Sequence, residues 1–178
     1  QGCPKLLKLA SRHPLPSPWW YRPDYADPDY SRRFYLVYGR NSVRSELERS
    51  FFDELIQSGQ SLLDIGCGGG EFTRTMARKR VQATGIDLGA FPIEQAIEQA
   101  RETGIQGEWI RGNFFEHEFE NQFDWITLLG TQLQEFPPEE LDALFGKTAS
   151  LLTDGGKLIC SAQRFEPSER EYSSYWYL

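Results

Sequence analysis

From residue 43 onward the apolar positions follow two alternating rhythms. Between 43 and 57 they recur every four residues, at Val43, Leu47, Phe51 and Leu55, with Phe52 and Ile56 beside them. That spacing puts one apolar face on a helix, and Ser58-Gly59 stops it. Short apolar runs then alternate with helical stretches. Ser61–Ile65 predicts a buried strand, 71–80 a helix and 81–86 a strand; 92–103 predicts a helix with Pro92 in its first turn. Glu108–Arg111 predicts a short strand, 123–129 a strand with WITLL at its heart, 137–152 a helix and 157–161 a strand. Strands separated by helices of this length imply right-handed crossovers. The expected fold is a doubly wound, mostly parallel α/β sheet with helices on both faces.

Ahead of this pattern, 30–38 also has a helical rhythm. Residues 1–30 carry Pro14, Pro16, Pro18, Pro23 and Pro28, interleaved with Trp19, Trp20, Tyr21, Tyr25 and Tyr30. The prolines exclude a long helix. The aromatics are unlike a disordered tract and predict a segment packed on something. The chain therefore divides into an aromatic, proline-rich cap segment with a helix, 1–42, and an α/β domain, 43–178.

Composition narrows the function. The 178 residues fit one domain with its own core. No apolar run approaches the roughly 18–20 residues that span a bilayer, and QGCPKLLKLA lacks a signal-peptide pattern. Cys3, Cys67 and Cys160 are odd in number and far apart, so neither a metal site nor a disulfide framework is expected. A reducing cytoplasm is the expected setting. A net charge of -7 repels a phosphate backbone. The cluster Arg78-Lys79-Arg80 suits the last turn of a helix. No nucleic-acid partner is expected.

The chemistry should lie where strands turn into helices, at 66–70, 87–89, 112–114 and 130–132. The first turn reads LLDIGCGGGEFT, with four glycines in five positions. A P-loop would need Lys followed by Ser or Thr where Glu71-Phe72 stands. A dinucleotide fingerprint would need a third glycine at Glu71, so an NAD(P)-dependent oxidoreductase is disfavoured. Asp87 follows Gly66 by 21 residues, at the end of the second strand. A carboxylate there accepts from ribose hydroxyls or serves as a turn residue; position alone leaves the two readings equal, and the glycine loop favours ribose.

LLDIGCGGG followed by GIDL resembles the class I S-adenosylmethionine-dependent methyltransferases. The resemblance continues through RGNFF, FDWITLLG and LLTDGGKLI, in matching order over about 43–162. It implies a cofactor with a ribose and an adenine but no pyrophosphate. By that resemblance Asp64, Gly66, Cys67 and Gly68 shape the methionine pocket. Asp87 takes the ribose, Leu88 packs on the adenine, Asn113 takes the adenine edge with Phe114 beside it, and Leu129 and Gly130 close the fourth strand's turn. Asn113 stands where the family often has Asp, so its acceptor lacks charge assistance. The family also ends in two more strands; 172–178 supply one at most, so the last strands are expected to be missing.

A sulfonium methyl is already activated, so the protein mainly aligns the acceptor and excludes water. No catalytic base is assigned. His117, between Glu116 and Glu118, reads better as a solvated loop residue, and Cys67 as a small packing residue. The Asn/Asp-Pro-Pro-aromatic motif of DNA amino-methyltransferases is absent after the fourth strand. The expected activity is in-line methyl transfer to a small molecule, with Gln132 and Gln134 near its pocket. Tyr30 and Tyr38, from the region that commonly covers the site in the family, complete the candidate acceptor contacts. The rivals are an S-adenosylmethionine-fold enzyme of other chemistry and a cofactor-binding partner subunit.

Overall fold

The computed structural model describes residues 27–38, 46–130, 133, 136 and 138–161. Helix α1 spans Pro28–Tyr38 and α2 spans Glu46–Leu55. The alternating unit then runs β1 (Ser61–Ile65), α3 (Glu71–Arg78), β2 (Gln82–Asp87), α4 (Ala90–Thr103) and β3 (Glu108–Arg111). It continues with β4 (Phe123–Leu128), α5 (Pro138–Leu151) and β5 (Leu152–Cys160). The strands lie in the order β3-β2-β1-β4-β5, and every neighbouring pair is parallel. This is the doubly wound sheet the sequence predicts. Strand order reverses between β1 and β4, so the crevice for a ligand opens at their carboxyl ends.

The continuous apolar run of β1 has a simple cause. Successive side chains point to opposite faces, and both faces are covered. Leu62 packs with Phe52, Ile56, Phe72, Met76 and Trp125 on the α2/α3 side. Leu63 packs with Ile86, Ile126, Leu144 and Leu151 on the α5 side. Each leucine is fully buried.

Three expectations need correction. On α2 Phe52 is buried and Leu55 partly buried, with Ile56 buried just past the helix end, whereas Phe51 is 51% exposed. Four residues turn a helix through about 400°, so an every-fourth pattern drifts by about 40° per step and leaves the buried arc. Val43 lies outside the described residues. Helix α4 starts at Ala90, ahead of Pro92. Pro92 is then the third residue, where the missing N–H has no intrahelical partner to lose. Strand β5 starts at Leu152, not at 157, directly after α5. Its ladder with β4 is irregular between Phe123 and Trp125, where Gly155 has φ +80° and Gly156 packs against the Phe123 carbonyl. Glycine admits a bulge that side chains would block. Residues 172–178 lie outside the described residues.

Helix α1 is capped by Asp27, whose Oδ1 accepts the N–H groups of Asp29 and Tyr30, each at 2.9 Å. It packs against α4. Among the described residues no helix is long and apolar enough to cross a membrane, and no acidic, His or Cys cluster could hold a metal.

Candidate active site

The glycine loop leaves β1 through Gly66, whose φ of +69° turns the chain sharply. The N–H groups of Gly66 and Cys67 both donate to the Ile86 carbonyl, at 2.8 and 3.1 Å, which fastens the loop to the end of β2. Gly68 has φ +53°, and its N–H donates to Asp87 Oδ2 at 2.9 Å. A Cβ at Gly68 would meet nothing within 4 Å, so open space lies beside it. Gly70, with φ +68°, precedes α3 and packs on Trp109 and Ala96.

Asp87 is the centre of this rim. Its Oδ1 accepts the Gly89 N–H at 2.7 Å, and its backbone carbonyl accepts the Gly112 N–H at 2.9 Å. It therefore ties the first three strand-to-helix turns together. Its carboxyl is buried, and burial pushes its pKa up from the ordinary 3.8, opposed by the Gly89 and Gly68 N–H bonds. Each oxygen keeps acceptor capacity beyond these bonds. The turn role is real, and it leaves room for a ligand hydroxyl.

Asp64 does different work. Its oxygens accept from Thr73 Oγ1 at 3.0 Å and Thr127 Oγ1 at 2.8 Å, joining β1, α3 and β4 below the loop. The two threonines are fully buried. Cys67 turns its Sγ towards the room left by Gly85. Burial drives its pKa well up, with the Asp87 and Asp64 charges adding to the effect. A protonated thiol packed on a strand is no nucleophile.

At the third turn, Asn113 Oδ1 accepts the Phe115 N–H at 3.0 Å, and its Nδ2 donates to Glu116 at 3.1 Å. Phe114 is buried in the α5-side core and Leu129 in the α2/α3-side core, so both form floor rather than wall. Leu88 is half-buried beside Asp87, and Gly130 is exposed with φ +73°. The His117 ring packs edge-on to Phe119 at 4.6 Å, and its carbonyl accepts from Lys147 Nζ at 2.8 Å. Tyr30 is half-buried on α1, and Tyr38 ends that helix. Gln132 and Gln134 lie outside the described residues.

Two residues escaped the sequence reading. Tyr35 lies directly over Gly69 and meets Phe91 edge-on at 5.8 Å. Arg74 is 6% exposed; its guanidinium donates to the Gly69 carbonyl and, at 2.6 Å, to Gln99 Oε1. Neither has a sequence signal, because one tyrosine among several and one arginine in a basic helix look ordinary.

A depression of about 540 Å³ lies at the opposite, amino ends of the strands, lined by Ser61, Thr84, Glu108 and Asp124 among others. Its lining includes the Gly59 turn but none of the strand-to-helix turns, so volume alone does not make it the site.

Residues 62–156 match the family model described as a methyltransferase domain. The chain belongs to this family. The class I methyltransferase resemblance read from the glycine loop onward therefore stands for family and fold. The chain is 30% identical over 159 residues to the ubiquinone biosynthesis O-methyltransferase of Vibrio vulnificus, covering 88% of this chain and 60% of that protein. It thus spans about three-fifths of the length of such curated relatives. Among solved structures, an S-adenosylmethionine-dependent methyltransferase of Thiobacillus denitrificans in complex with S-adenosyl-L-homocysteine superposes with TM-score 0.66. It is 21% identical, with 82% of this chain and 62% of that one covered. The cyclase SpnF superposes with TM-score 0.59 at 25% identity, over 67% of this chain and 46% of that one.

Proposed function

We propose that this methyltransferase domain binds S-adenosylmethionine across the carboxyl ends of β1, β2 and β3 and transfers its methyl group to an oxygen of a small molecule. The observation that carries the reading is the buried Asp87 carboxylate, held by Gly68 and Gly89 beside the open space at Gly68. A ribose diol in that space would find an anionic acceptor fixed before it arrives, and such preorganised charge binds hydroxyls well. Gly66, Cys67 and Gly68 give the methionine chain its bare floor. Leu88 and Asn113 flank the adenine, and Gly130 borders the acceptor. Asp64, Phe114 and Leu129 support these groups from below.

The bound cofactor supplies a methyl on a sulfonium. Transfer breaks the carbon–sulfur bond, leaves its electron pair on sulfur and forms a carbon–oxygen bond, with loss of the acceptor's proton. The protein's share is alignment and exclusion of water. The relatives' names specify an O-methyl product, and an oxygen acceptor is carried over on that ground. The net charge of -7 argues against a nucleic-acid acceptor, and the small-molecule reaction fits a cytoplasmic setting.

Isothermal titration with S-adenosylmethionine, S-adenosylhomocysteine and NADH tests the cofactor. Heat from the first two supports the reading, and heat from NADH alone overturns it. Transfer of labelled methyl to hydroxyl-bearing small-molecule acceptors then separates methyl transfer from the other chemistry for which a cyclase with this fold stands as precedent. Tight cofactor binding with no transfer to any acceptor would favour that alternative or a partner subunit.

A further inference from the structure

Lys147 stands on the inward stripe of α5. Leu141, Leu144, Thr148 and Leu151 follow helical spacing along that stripe, and the last three are buried. Lys147 falls among them and is half-buried. An apolar side chain would suit the place, and the lysine stem supplies one. The ammonium adds directed contacts. It donates to the Phe115 carbonyl at 3.0 Å and to the His117 carbonyl at 2.8 Å. It also lies over the rings of Phe114 and Phe119, at 5.3 and 5.9 Å from their centroids. Among the described residues no carboxylate oxygen lies within 4 Å of it. All four contacts fall on the segment 114–119, which follows β3. A cation on α5 therefore holds the turn that leaves the third strand.

Asn113 opens that turn, and its bonds interlock with those of Lys147. Its backbone carbonyl accepts the Glu116 and His117 N–H groups at 3.1 and 2.9 Å. Its Oδ1 accepts the Phe115 N–H at 3.0 Å, and its Nδ2 donates to Glu116 Oε1 at 3.1 Å. Phe115 thus gives its N–H to the Asn113 side chain and its carbonyl to Lys147. After these bonds the Asn113 amide keeps one acceptor lone pair and one N–H. Where they point depends on where the turn is held. We propose that Lys147 is a positioning residue: by clamping the Phe115 and His117 carbonyls to α5 it fixes the Asn113 amide, and so sets how strictly the site reads the amino edge of a ligand's base. This deepens the S-adenosylmethionine reading, in which Asn113 flanks the adenine, and rests on it. Lys147 acts through the turn, so its loss should blur base selection more than it weakens binding in general.

The test compares S-adenosylhomocysteine with S-inosylhomocysteine, which differs only in carrying a carbonyl where adenine has its amine. Titration of the full chain should show about tenfold tighter binding of the first, as for one base-edge hydrogen bond made or left unmade. Lys147→Met keeps an apolar stem without the ammonium. There the preference should shrink to within about twofold, chiefly through weaker S-adenosylhomocysteine. Lys147→Arg has a fork that can donate to two carbonyls, and it should restore the preference. Lys147→Leu completes the apolar stripe of α5 and carries the test if the methionine variant does not fold. Equal weakening of both ligands in Lys147→Met would make the residue a prop of the fold and overturn the proposal. So would an unchanged preference in that variant, or a preference lost in the arginine variant as well. Equal binding of the two ligands by the wild-type chain would overturn the proposal and leave the cofactor reading standing. If the wild-type chain binds neither, the cofactor reading itself fails and the proposal falls with it.

Discussion

Asp87 and Asp124 sit at opposite ends of one parallel sheet, and each accepts a backbone N–H. Asp124, near the start of β4, accepts from the Ser61 N–H at 2.8 Å and its hydroxyl at 3.0 Å, and from the Thr153 hydroxyl at 3.1 Å. The Ser61 N–H holds its pKa below the ordinary 3.8, opposed by burial and helped by the two hydroxyls. Asp87 has two N–H bonds and the opposite shift, because it is buried and water cannot support its charge. Hydrogen bonds set the shift of Asp124, whereas at Asp87 burial outweighs them. The amino-end carboxylate is finished by its own chain. The carboxyl-end one is desolvated and keeps capacity for a ligand.

The largest expected difference between them is in binding. Asp87→Ala should weaken S-adenosylhomocysteine by about a hundredfold, as two charge-assisted bonds to a ribose are lost. Asp124→Ala should leave the dissociation constant within about twofold by titration calorimetry. Equal losses would erase the distinction between the two ends.

Stability should show the reverse emphasis for Asp124. Asp124→Ala removes the bonds that join β1, β4 and β5 and should cost about 1 kcal/mol in urea unfolding. A midpoint unchanged from wild type would mean that water replaces those bonds at no cost.

The two carboxylates should also separate with pH. Asp124, with its folded pKa lowered, contributes stability that is full above 3.8 and is lost as pH falls through its lower folded value. Asp87, with its folded pKa raised, contributes stability that is full below 3.8 and is lost as pH rises through its higher folded value. Hence the stability gap between wild type and Asp124→Ala should close in strong acid. S-adenosylhomocysteine affinity should already decline above 3.8, where Asp87 begins to protonate. Affinity that is flat down to that pH would place Asp87 outside the ligand's reach.

The smallest effect concerns Gly69. A methyl there collides with the Tyr35 ring and hydroxyl, but Tyr35 is a half-buried side chain that can swing away. Gly69→Ala should raise amide exchange along α1 and barely move the thermal midpoint. Unaltered exchange would show that Tyr35 does not help seat α1.

Most of the scaffold was legible because it obeys local rules. β1 reads as a strand since both its faces are covered, and Glu108–Arg111 and Ser61–Ile65 fall where their patterns put them. The glycine loop and Asp87 were legible because a tight turn and a strand-end carboxylate leave marks in sequence. The errors come from non-local causes. The start of β5 depends on how Gly155 and Gly156 fit against β4. The exposure of Phe51 depends on where α2 meets its neighbours. Tyr35, Arg74, Thr73 and Thr127 matter through partners 5 to 63 positions away in sequence or across the fold, which no periodicity records.

Trp109 offers a way to watch the loop. Its indole N–H is buried without a hydrogen-bond partner among the described residues and rests against Gly70. The Trp125 indole, by contrast, donates to Gln60 at 2.9 Å. An indole shut away from water emits at shorter wavelength than one that is wet. Any movement that lifts Gly70 admits solvent to the Trp109 N–H and shifts its emission to the red. The difference spectrum between wild type and Trp109→Phe isolates that signal, so the opening of the glycine loop can be followed optically in the unlabelled chain.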